Sequence, residues 1–353
     1  MYSKKVKYIF GNLCFFILTS SNLFSQNKHT IDNFFKDIAK KYYDYEIKDS
    51  VLSREYAFKY LTEAKKNNDS EKIANGYYFV SRFLAIHQNN GALKYADSAI
   101  SLTKNANTKH LPFQAYMNKA SFYYVTGNLE SSLENYIIAN EYAVEQNDEI
   151  SQNNIKYFIS VLKNRLGHYR EAIALSKEVF TFFQEKHDVE HLDAVFNLAS
   201  SYNKLKLYDS AFYYNNLGHK LSLDLNNDLM KNYFVLNQGV NHIGMKEYGI
   251  ALDSLKNAME YIENEKDIPN IILTKYYLGI TYNKLNDIDK SIFHFKEMDS
   301  ILVNSNEAIQ EVRKGYELLI DYYKKKGNIN KQLLYVNRLL KYDSLYPLTL
   351  HPS

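Results

Sequence analysis

A period of about 40 residues limits what this chain can fold into more than any other feature of its sequence. Mostly small residues recur at spacings of 40, 40, 39, 40, 40 and 41 over 240 residues. A globular enzyme has no physical reason to keep such a period, whereas an array of stacked structural units does. The recurring residues are Ala92, Ser132, Ala172, Ala211, Ala251, Ser291 and, as the weakest match, Gln332.

The residues around these anchors explain the period as a helical hairpin. Four and seven positions after Ala251 lie Leu255 and Ala258, and positions i, i+4 and i+7 share one face of a helix. Twelve positions before an anchor lies a small or medium residue, followed three later by an aromatic, as in Gly279 and Tyr282. The small residue lets two helices approach closely, and the aromatic fills the space beside it. Each period therefore predicts two packed helices.

Glycines and prolines fall where such hairpins need turns and helix starts. Gly127, Gly167 and Gly327 lie between the first and the second helix of their units. Glycine just past a helix end supplies the left-handed conformation that terminates it. Pro112 and Pro269 stand near the start of first helices, where a missing N–H costs nothing. Turns and helices are thus predicted in one register.

Together these features resemble the tetratricopeptide repeat (TPR). The pattern covers residues 70–343 in seven units, and residues 27–69 form a weaker eighth in which Ser53, Ala57 and Tyr60 fit the second helix. The resemblance implies an all-α fold, a right-handed superhelical α-solenoid of about eight TPR hairpins. The period is near 40 instead of the common 34, and we expect the extra residues to lengthen the second helix and its exit loop.

The first 26 residues have the pattern of an export signal peptide. Three lysines before residue 8 precede an apolar stretch from Tyr8 to Leu18. This stretch is shorter than the roughly 20 apolar residues of a transmembrane helix, so an uncleaved anchor is the lesser alternative. No later segment reaches that length. We expect cleavage near Ser25 or Gln26, a periplasmic or secreted product, and a short tail, 344–353, after the last repeat.

Removal of the signal changes the chain's charge and cysteine content. The formal charge of +3 comes from 43 basic and 40 acidic residues, and three of the lysines belong to the signal, so the mature chain is neutral. A neutral chain gives no support for binding nucleic acid, which needs a basic surface. Cys14 is the only cysteine and leaves with the signal, so no disulfide or thiolate chemistry is expected. Lipidation at Cys14 is a remote alternative, because Leu13 is not the small residue that would precede it.

A narrower resemblance concerns pairs of aspartate and serine that end several second helices. With the signal peptide, they look like the exported TPR sensor regions of bacterial membrane-anchored histidine kinases and helix-turn-helix regulators. No kinase or DNA-binding module accompanies them in this sequence, so the alternative to a scaffold is a free-standing or truncated relative of such a sensor. The pairs are Asp97-Ser98, Asp253-Ser254, Asp299-Ser300 and Asp343-Ser344.

One short string fits a catalytic pattern. His187, Glu190 and His191 match the H-x-x-E-H arrangement, which on a helix puts two zinc ligands and a general base on one face. The repeat register places the string between one second helix and the next first helix, with no third ligand assigned. A solvated turn between repeats is the favoured interpretation, and a zinc metallohydrolase is the remote alternative. We therefore expect no catalytic residues, no metal and no cofactor.

The resemblance also implies where a partner binds, because the first helices of a TPR array line its concave surface. Asn118, Asn197 and Asn237 occupy one equivalent position there. An amide both donates and accepts hydrogen bonds, which suits the backbone of an extended peptide. The opposing interpretation is that asparagine and lysine are common in this composition and lie on a solvated face.

Two further groups complete the predicted concave binding surface. In the first group an asparagine is followed by a lysine or arginine and then a leucine, and these polar side chains are suited to bind carboxylates or carbonyl oxygens. The second group consists of aromatic side chains, which are suited to anchor a ligand. Many tyrosines, such as Tyr123, Tyr202, Tyr282 and Tyr323, occupy the packing position of the repeat and are expected in the core, and the remaining tyrosines are candidates for surface contact. The sequence thus predicts a non-enzymatic scaffold that binds a protein or peptide outside the cytoplasm. The predicted residues of these two groups are Asn164, Arg165, Asn203, Lys204, Asn283, Lys284, Tyr157, Tyr276 and Tyr277.

Overall fold

The computed structural model of the chain describes residues 26–46, 48–103, 110–184, 189–305 and 309–345. Within these ranges the fold is built from helices alone, so the all-α prediction is confirmed. The predicted signal peptide up to Ser25, and residues 346–353 of the predicted tail, lie outside the described residues. None of the helices within these ranges combines the length and hydropathy that crossing a membrane requires.

The described residues form sixteen α-helices that follow one another in pairs. Odd-numbered helices are the first and even-numbered helices the second members of eight pairs. Residues 26–162 and 163–345 belong to two compact units. The helices are α1 Gln26–Tyr45, α2 Ser50–Lys66, α3 Ser70–Ile86, α4 Gly91–Thr103, α5 His110–Val125, α6 Leu129–Glu145, α7 Glu149–Arg165, α8 Tyr169–Gln184, α9 Val189–Lys204, α10 Tyr208–Asp224, α11 Asp228–Gly244, α12 Tyr248–Asn264, α13 Ile268–Lys284, α14 Ile288–Val303, α15 Arg313–Lys325 and α16 Ile329–Leu345, with a 3₁₀ turn at Gln310–Val312 before α15.

The 40-residue period comes from two equal halves. Four successive helices, α10 to α13, each have 17 residues. Three residues separate each from the next, so one helix and one turn take 20 residues and a pair takes 40. The turn that leaves a second helix is as short as the turn within a hairpin: α10 ends at Asp224 and α11 begins at Asp228. In α10 to α13 the expectation of a longer exit loop is wrong, because both helices share the extra length. More than three residues separate the second helices α4, α8 and α14 from the next helix.

The middle residue of most turns has a left-handed backbone. Gly127, Gly167 and Gly327 have φ of 86°, 84° and 66°, which confirms the prediction for these three. The residue after it returns an N–H to the carbonyl five residues back, as from Leu207 to Tyr202 at 3.0 Å. Eight other turns put a larger residue in this conformation, and the sequence pattern missed them: Asn68, Gln88, Asn147, Lys206, Asn226, Lys246, Lys266 and Asn286.

The two helices of a hairpin touch where the small residues recur. Ser132 Oγ donates to the Ala120 carbonyl at 2.8 Å, and Ser291 Oγ donates to the Gly279 carbonyl at 2.9 Å. A Cβ atom on Gly279 would lie 2.6 Å from the Phe295 ring. The prediction that a small residue permits close approach is confirmed here, since only glycine leaves room for this buried ring.

Aromatic residues fill the core of each unit. In residues 163–345 one core cluster contains Phe295, Tyr316 and Tyr323. In residues 26–162 the Arg82 guanidinium and Glu46 form an ion pair at 2.5 Å with side chains 0% and 3% exposed. Tyr42 Oη also donates to Glu46 at 2.7 Å. Because Glu46 follows α1 and Arg82 lies in α3, this buried group fastens the first hairpin to the second.

Candidate functional site

Consecutive first helices lie side by side and form a common surface. Within residues 163–345, α9 contacts α11, α11 contacts α13, and α13 contacts α15. Within residues 26–162, α3 contacts α5 in the same way. We call the surface formed by odd-numbered helices of one unit its first-helix face. Most residues predicted to bind a partner lie on these helices.

Predicted asparagines hold neighbouring helices together. Asn164 Nδ2 on α7 donates to Asn197 Oδ1 on α9 at 3.0 Å and to Ser201 Oγ at 2.6 Å. Asn197 Nδ2 donates in turn to Ser176 Oγ on α8 at 2.9 Å. The Asn197 side chain is only 5% exposed. Direct side-chain hydrogen bonds therefore link Asn164, near the end of α7, to α9, and α9 to α8.

The same use of amides recurs along the chain. Asn203 Nδ2 on α9 donates to Asn241 Oδ1 on α11 at 3.1 Å, and Asn241 Nδ2 reaches the Tyr208 carbonyl at 3.3 Å. In the other unit, Asn118 is 2% exposed and its Nδ2 lies 3.5 Å from the Tyr78 carbonyl. These asparagines pack helix against helix, and their predicted contact with a peptide stays a prediction.

Asn237 departs from this pattern. It occupies the position of Asn197 one repeat later and is 8% exposed. Asn215 occupies the position of Ser176 and is fully buried. Among the described residues, neither Asn237 Nδ2 nor the two polar side-chain atoms of Asn215 has a hydrogen-bond partner. The hydrogen bond that joins Asn197 to Ser176 in one repeat is thus missing between Asn237 and Asn215 in the next.

An ion pair on the first-helix face of residues 163–345 joins distant parts of the chain. Lys204 Nζ lies 3.2 Å from Glu311 Oε1, although the two residues are 107 positions apart. Lys204 is the last residue of α9, and Glu311 belongs to the 3₁₀ turn before α15. Their side chains are 35% and 28% exposed, so both charges remain within reach of solvent.

The surroundings keep both members of this pair ionised. Burial alone raises the pKa of Glu311, but the charge of Lys204, hydrogen bonds and the nearby Arg165 outweigh it and lower the pKa. The charge of Glu311 raises the pKa of Lys204 against the effect of burial, with smaller contributions from Tyr277 and Tyr169. At neutral pH the pair is therefore a glutamate and an ammonium ion.

Aromatic side chains adjoin the pair. Tyr276 and Tyr277 on α13 meet edge to face with centroids 5.0 Å apart. Tyr276 is 8% exposed and packs in the core beside Phe295. Burial raises the pKa of Tyr277, which also senses the charges of Lys204 and Glu311. We define the bridge cluster as Arg165, Tyr169, Lys204, Tyr276, Tyr277 and Glu311.

Four predicted site residues meet in the bridge cluster, and other predicted ones do not. Lys204 pairs with Glu311, the charge of Arg165 helps to lower the pKa of Glu311, and the charges of the pair act on the pKa values of Tyr276 and Tyr277. Lys284 is exposed and Asn283 half-buried at the end of α13. Tyr157 belongs to the other unit, where it is 5% exposed and contacts Phe158. Sequence reasoning missed Glu311 because it lies between α14 and α15, outside the recurring register.

Comparisons with known proteins identify the fold. No protein-family model matches the sequence, and no curated protein matches it significantly. Apo RapI aligns over 77% of this chain and 99% of its own, with a TM-score of 0.65 and 15% identity. NprR bound to its cognate peptide NprX aligns over 89% and 94%, with a TM-score of 0.60 and 13% identity. A tetratricopeptide repeat protein from Parabacteroides merdae aligns over 81% of this chain and 98% of its own, with a TM-score of 0.55 and 15% identity. The chain has the TPR fold.

The string that resembles a zinc site reaches into helix α9, where its last residue lies. His191 lies inside α9, is 3% exposed and packs its ring against Phe180 with centroids 4.9 Å apart. Our expectation of a solvated turn is therefore wrong for His191, and His187 lies outside the described residues. In the part of the chain that the structure describes, no group of three His, Cys, Asp or Glu side chains is arranged to hold a metal ion.

Proposed function

We propose that this protein binds a peptide or protein segment on the first-helix face of residues 163–345, at the bridge cluster. The observation that carries the proposal is the Lys204–Glu311 pair, which stays partly exposed while it joins two distant hairpins. Charges of both signs and tyrosine hydroxyls lie together there, a combination that can bind the polar groups and side chains of a peptide.

Side-chain hydrogen bonds join helices around the cluster, which favours binding. The amide network of Asn164, Asn197 and Ser201 joins the residues just before Arg165 to the helix that ends at Lys204. A surface ordered before binding loses less conformational entropy when its ligand arrives. NprR, which shares the fold, was solved with a cognate peptide, and this supports a peptide as the ligand class. We propose binding without catalysis.

The test is a peptide selection on the purified chain that begins at Asn27. A displayed random peptide library is enriched on this protein, and the affinity of selected synthetic peptides is measured by fluorescence anisotropy. We expect Lys204→Ala and Glu311→Ala each to weaken binding by about tenfold, the effect of roughly 1.4 kcal/mol. Lys290→Ala is the matched control, because Lys290 also pairs with a carboxylate, Asp287 at 2.6 Å, but lies on a second helix.

Two results would contradict this proposal. One is that no selected peptide binds the unmodified protein in solution. The other is that the selected peptides bind both bridge variants as tightly as they bind Lys290→Ala. Circular dichroism of each variant separates loss of binding from loss of helices.

We propose in addition that the protein acts outside the cytoplasm. The lysines and the apolar stretch of the first 26 residues support export. Expression of the whole sequence in a Gram-negative host, followed by fractionation and intact-mass measurement, tests this. The expected product lies in the periplasm or medium and lacks residues 1–25 or 1–26. A full-length product in the cytoplasm would contradict it.

A further inference from the structure

The last described helix, α16, presents an apolar stripe to solvent. Ile329, Leu333 and Leu340 are 66%, 54% and 61% exposed. With the half-buried Val336 they occupy positions i, i+4, i+7 and i+11, which fall on one side of a helix. Contiguous exposed apolar surface of this kind marks an interaction site more often than isolated apolar residues do.

The preceding repeat shows what this face is shaped to receive. Leu333 and Val336 correspond to Ile292 and Phe295 of α14, 41 residues earlier. Those two residues are 6% and 0% exposed and share a core cluster with α15. A Cβ atom on Gly315 of α15 would lie 3.0 Å from the Phe295 ring, so α15 packs closely on α14. The equivalent face of α16 is therefore a surface for a helix.

Charge indicates which kind of helix fits. Between Arg313 and Asp343, the α15–α16 hairpin carries eight basic and three acidic residues, a formal charge of +5. The three consecutive lysines Lys324, Lys325 and Lys326 in its turn region are exposed. A surface that concentrates charge of one sign attracts a partner of opposite charge and repels a partner of the same charge.

A second copy of this chain fits less well. Pairing α16 with the α16 of another copy would bring two hairpins of charge +5 together.

We propose that the outer face of α16 binds an amphipathic helix of another protein, one with acidic side chains beside its apolar stripe. The helix packs as α15 packs on α14, with its apolar side chains against Leu333, Val336 and Leu340. Its carboxylates face the basic side chains of the α15–α16 hairpin. This surface is separate from the bridge cluster and does not depend on the peptide site proposed there.

Two labelled 17-residue peptides test the proposal on the chain that begins at Asn27. Both carry apolar residues at i, i+4, i+7 and i+11, and the remaining positions are rich in glutamate in one and in lysine in the other. By fluorescence anisotropy at low salt, we expect the acidic peptide to bind at least about tenfold more tightly than the basic one. The ratio should fall as salt screens the charges.

Substitutions on α16 provide the second arm. Leu333→Asp combined with Leu340→Asp should abolish binding of the acidic peptide, and helicity should be kept because both side chains are exposed. Ile250→Asp on α12 is the matched control, since Ile250 is 52% exposed on another second helix, and it should bind as the unmodified protein does.

Four outcomes would overturn the inference. Equal binding of the acidic and the basic peptide would show that charge plays no role. Binding that is unaffected by the double substitution would show that the apolar stripe plays no role. Concentration-dependent dimers in sedimentation that disappear in the double variant would assign the face to a second copy. Co-sedimentation with vesicles of phosphatidylcholine and phosphatidylglycerol at 70:30, also lost in the double variant, would assign it to a membrane surface.

Discussion

Single asparagines show what the sequence can and cannot reveal at the scale of residues. The repeat register places Asn164 and Asn197 on first helices, and the structure has them there. The register does not give the rotation of one helix against the next, which decides whether an amide faces solvent or a neighbour. Asn197 therefore bonds to Ser176 and Asn164, a role that depends on packing between helices.

A matched pair of alanine substitutions separates a bonded amide from an unbonded one. Asn197→Ala removes hydrogen bonds to Ser176 and Asn164, so we expect the free energy of unfolding to fall by about 1–2 kcal/mol. Asn215→Ala removes a buried amide that has no hydrogen-bond partner among the described residues. Burying an amide without a hydrogen bond costs free energy, so its removal should leave the free energy of unfolding unchanged or increase it. Urea unfolding followed by circular dichroism measures both.

Equal losses in the two variants would contradict this distinction. They would mean that Asn215 contributes through its volume, because alanine leaves a cavity at either position. Asn215→Leu then serves as a further comparison, since it restores volume without polar atoms.

The Lys204–Glu311 pair predicts a specific dependence of stability on pH. The folded-state pKa of Glu311 is lowered, so its contribution is complete above the unfolded pKa of about 4.3 and disappears as pH falls through the folded value. Glu311→Gln cannot ionise. The variant should be less stable than the unmodified protein at pH 6, and the difference should shrink as pH falls below about 4.

Urea titrations of both proteins between pH 3 and pH 7 measure this difference. The variant Glu297→Gln is a useful control, because Glu297 also pairs with a lysine, Lys275 at 2.9 Å, outside the bridge cluster. A difference for Glu311→Gln that stays constant across this range would show that the carboxylate charge does not stabilise the fold.

At the scale of elements, the sequence predicted the hairpins but not the identity of most turns. Glycine marks three of the left-handed turn positions and was recognised there. Asparagine, lysine and glutamine mark the others without a comparable signal, since these residues are common on any helix surface. The three-residue turn that recurs from α10 to α13 becomes visible only when helix ends are known, and there it corrects the expected long exit loop.

Lys246 tests the cost of that turn conformation. Its φ is 64°, and a side chain in the left-handed region costs about 1–2 kcal/mol relative to glycine. Lys246→Gly removes this strain but adds conformational freedom to the unfolded chain. We expect a net gain of about 0.5–1 kcal/mol in the free energy of unfolding, measured by urea denaturation.

Gly127→Ala is the reciprocal change. Gly127 has φ of 86°, and no atom lies within 4 Å of the position a Cβ would take, so any loss reflects backbone conformation alone. A loss of about 1 kcal/mol is expected. If Lys246→Gly destabilises the protein while Gly127→Ala has no effect, strain at these turns is not a factor in stability.

At the scale of the molecule, the repeat was readable because each hairpin repeats the same local contacts. The bridge between Lys204 and Glu311 was not, because it depends on how successive hairpins stack across 107 residues. The same division applies to stability. In a repeat array each unit contacts mainly its neighbours, so the free energy of opening varies along the chain instead of having one value.

Gly279→Ala provides a local disturbance that tests this. The new methyl group would meet the Phe295 ring at 2.6 Å inside a close-packed core, which should cost about 1–3 kcal/mol. Hydrogen exchange followed by mass spectrometry should show faster exchange in α13 and α14 and in the adjoining α11 and α15. Exchange in α1 to α6 should be unchanged, because these helices belong to the other compact unit. If hydrogen exchange became equally faster in every helix, the chain would open as one cooperative body. The effect of a binding event in one hairpin would then not stay local to that hairpin.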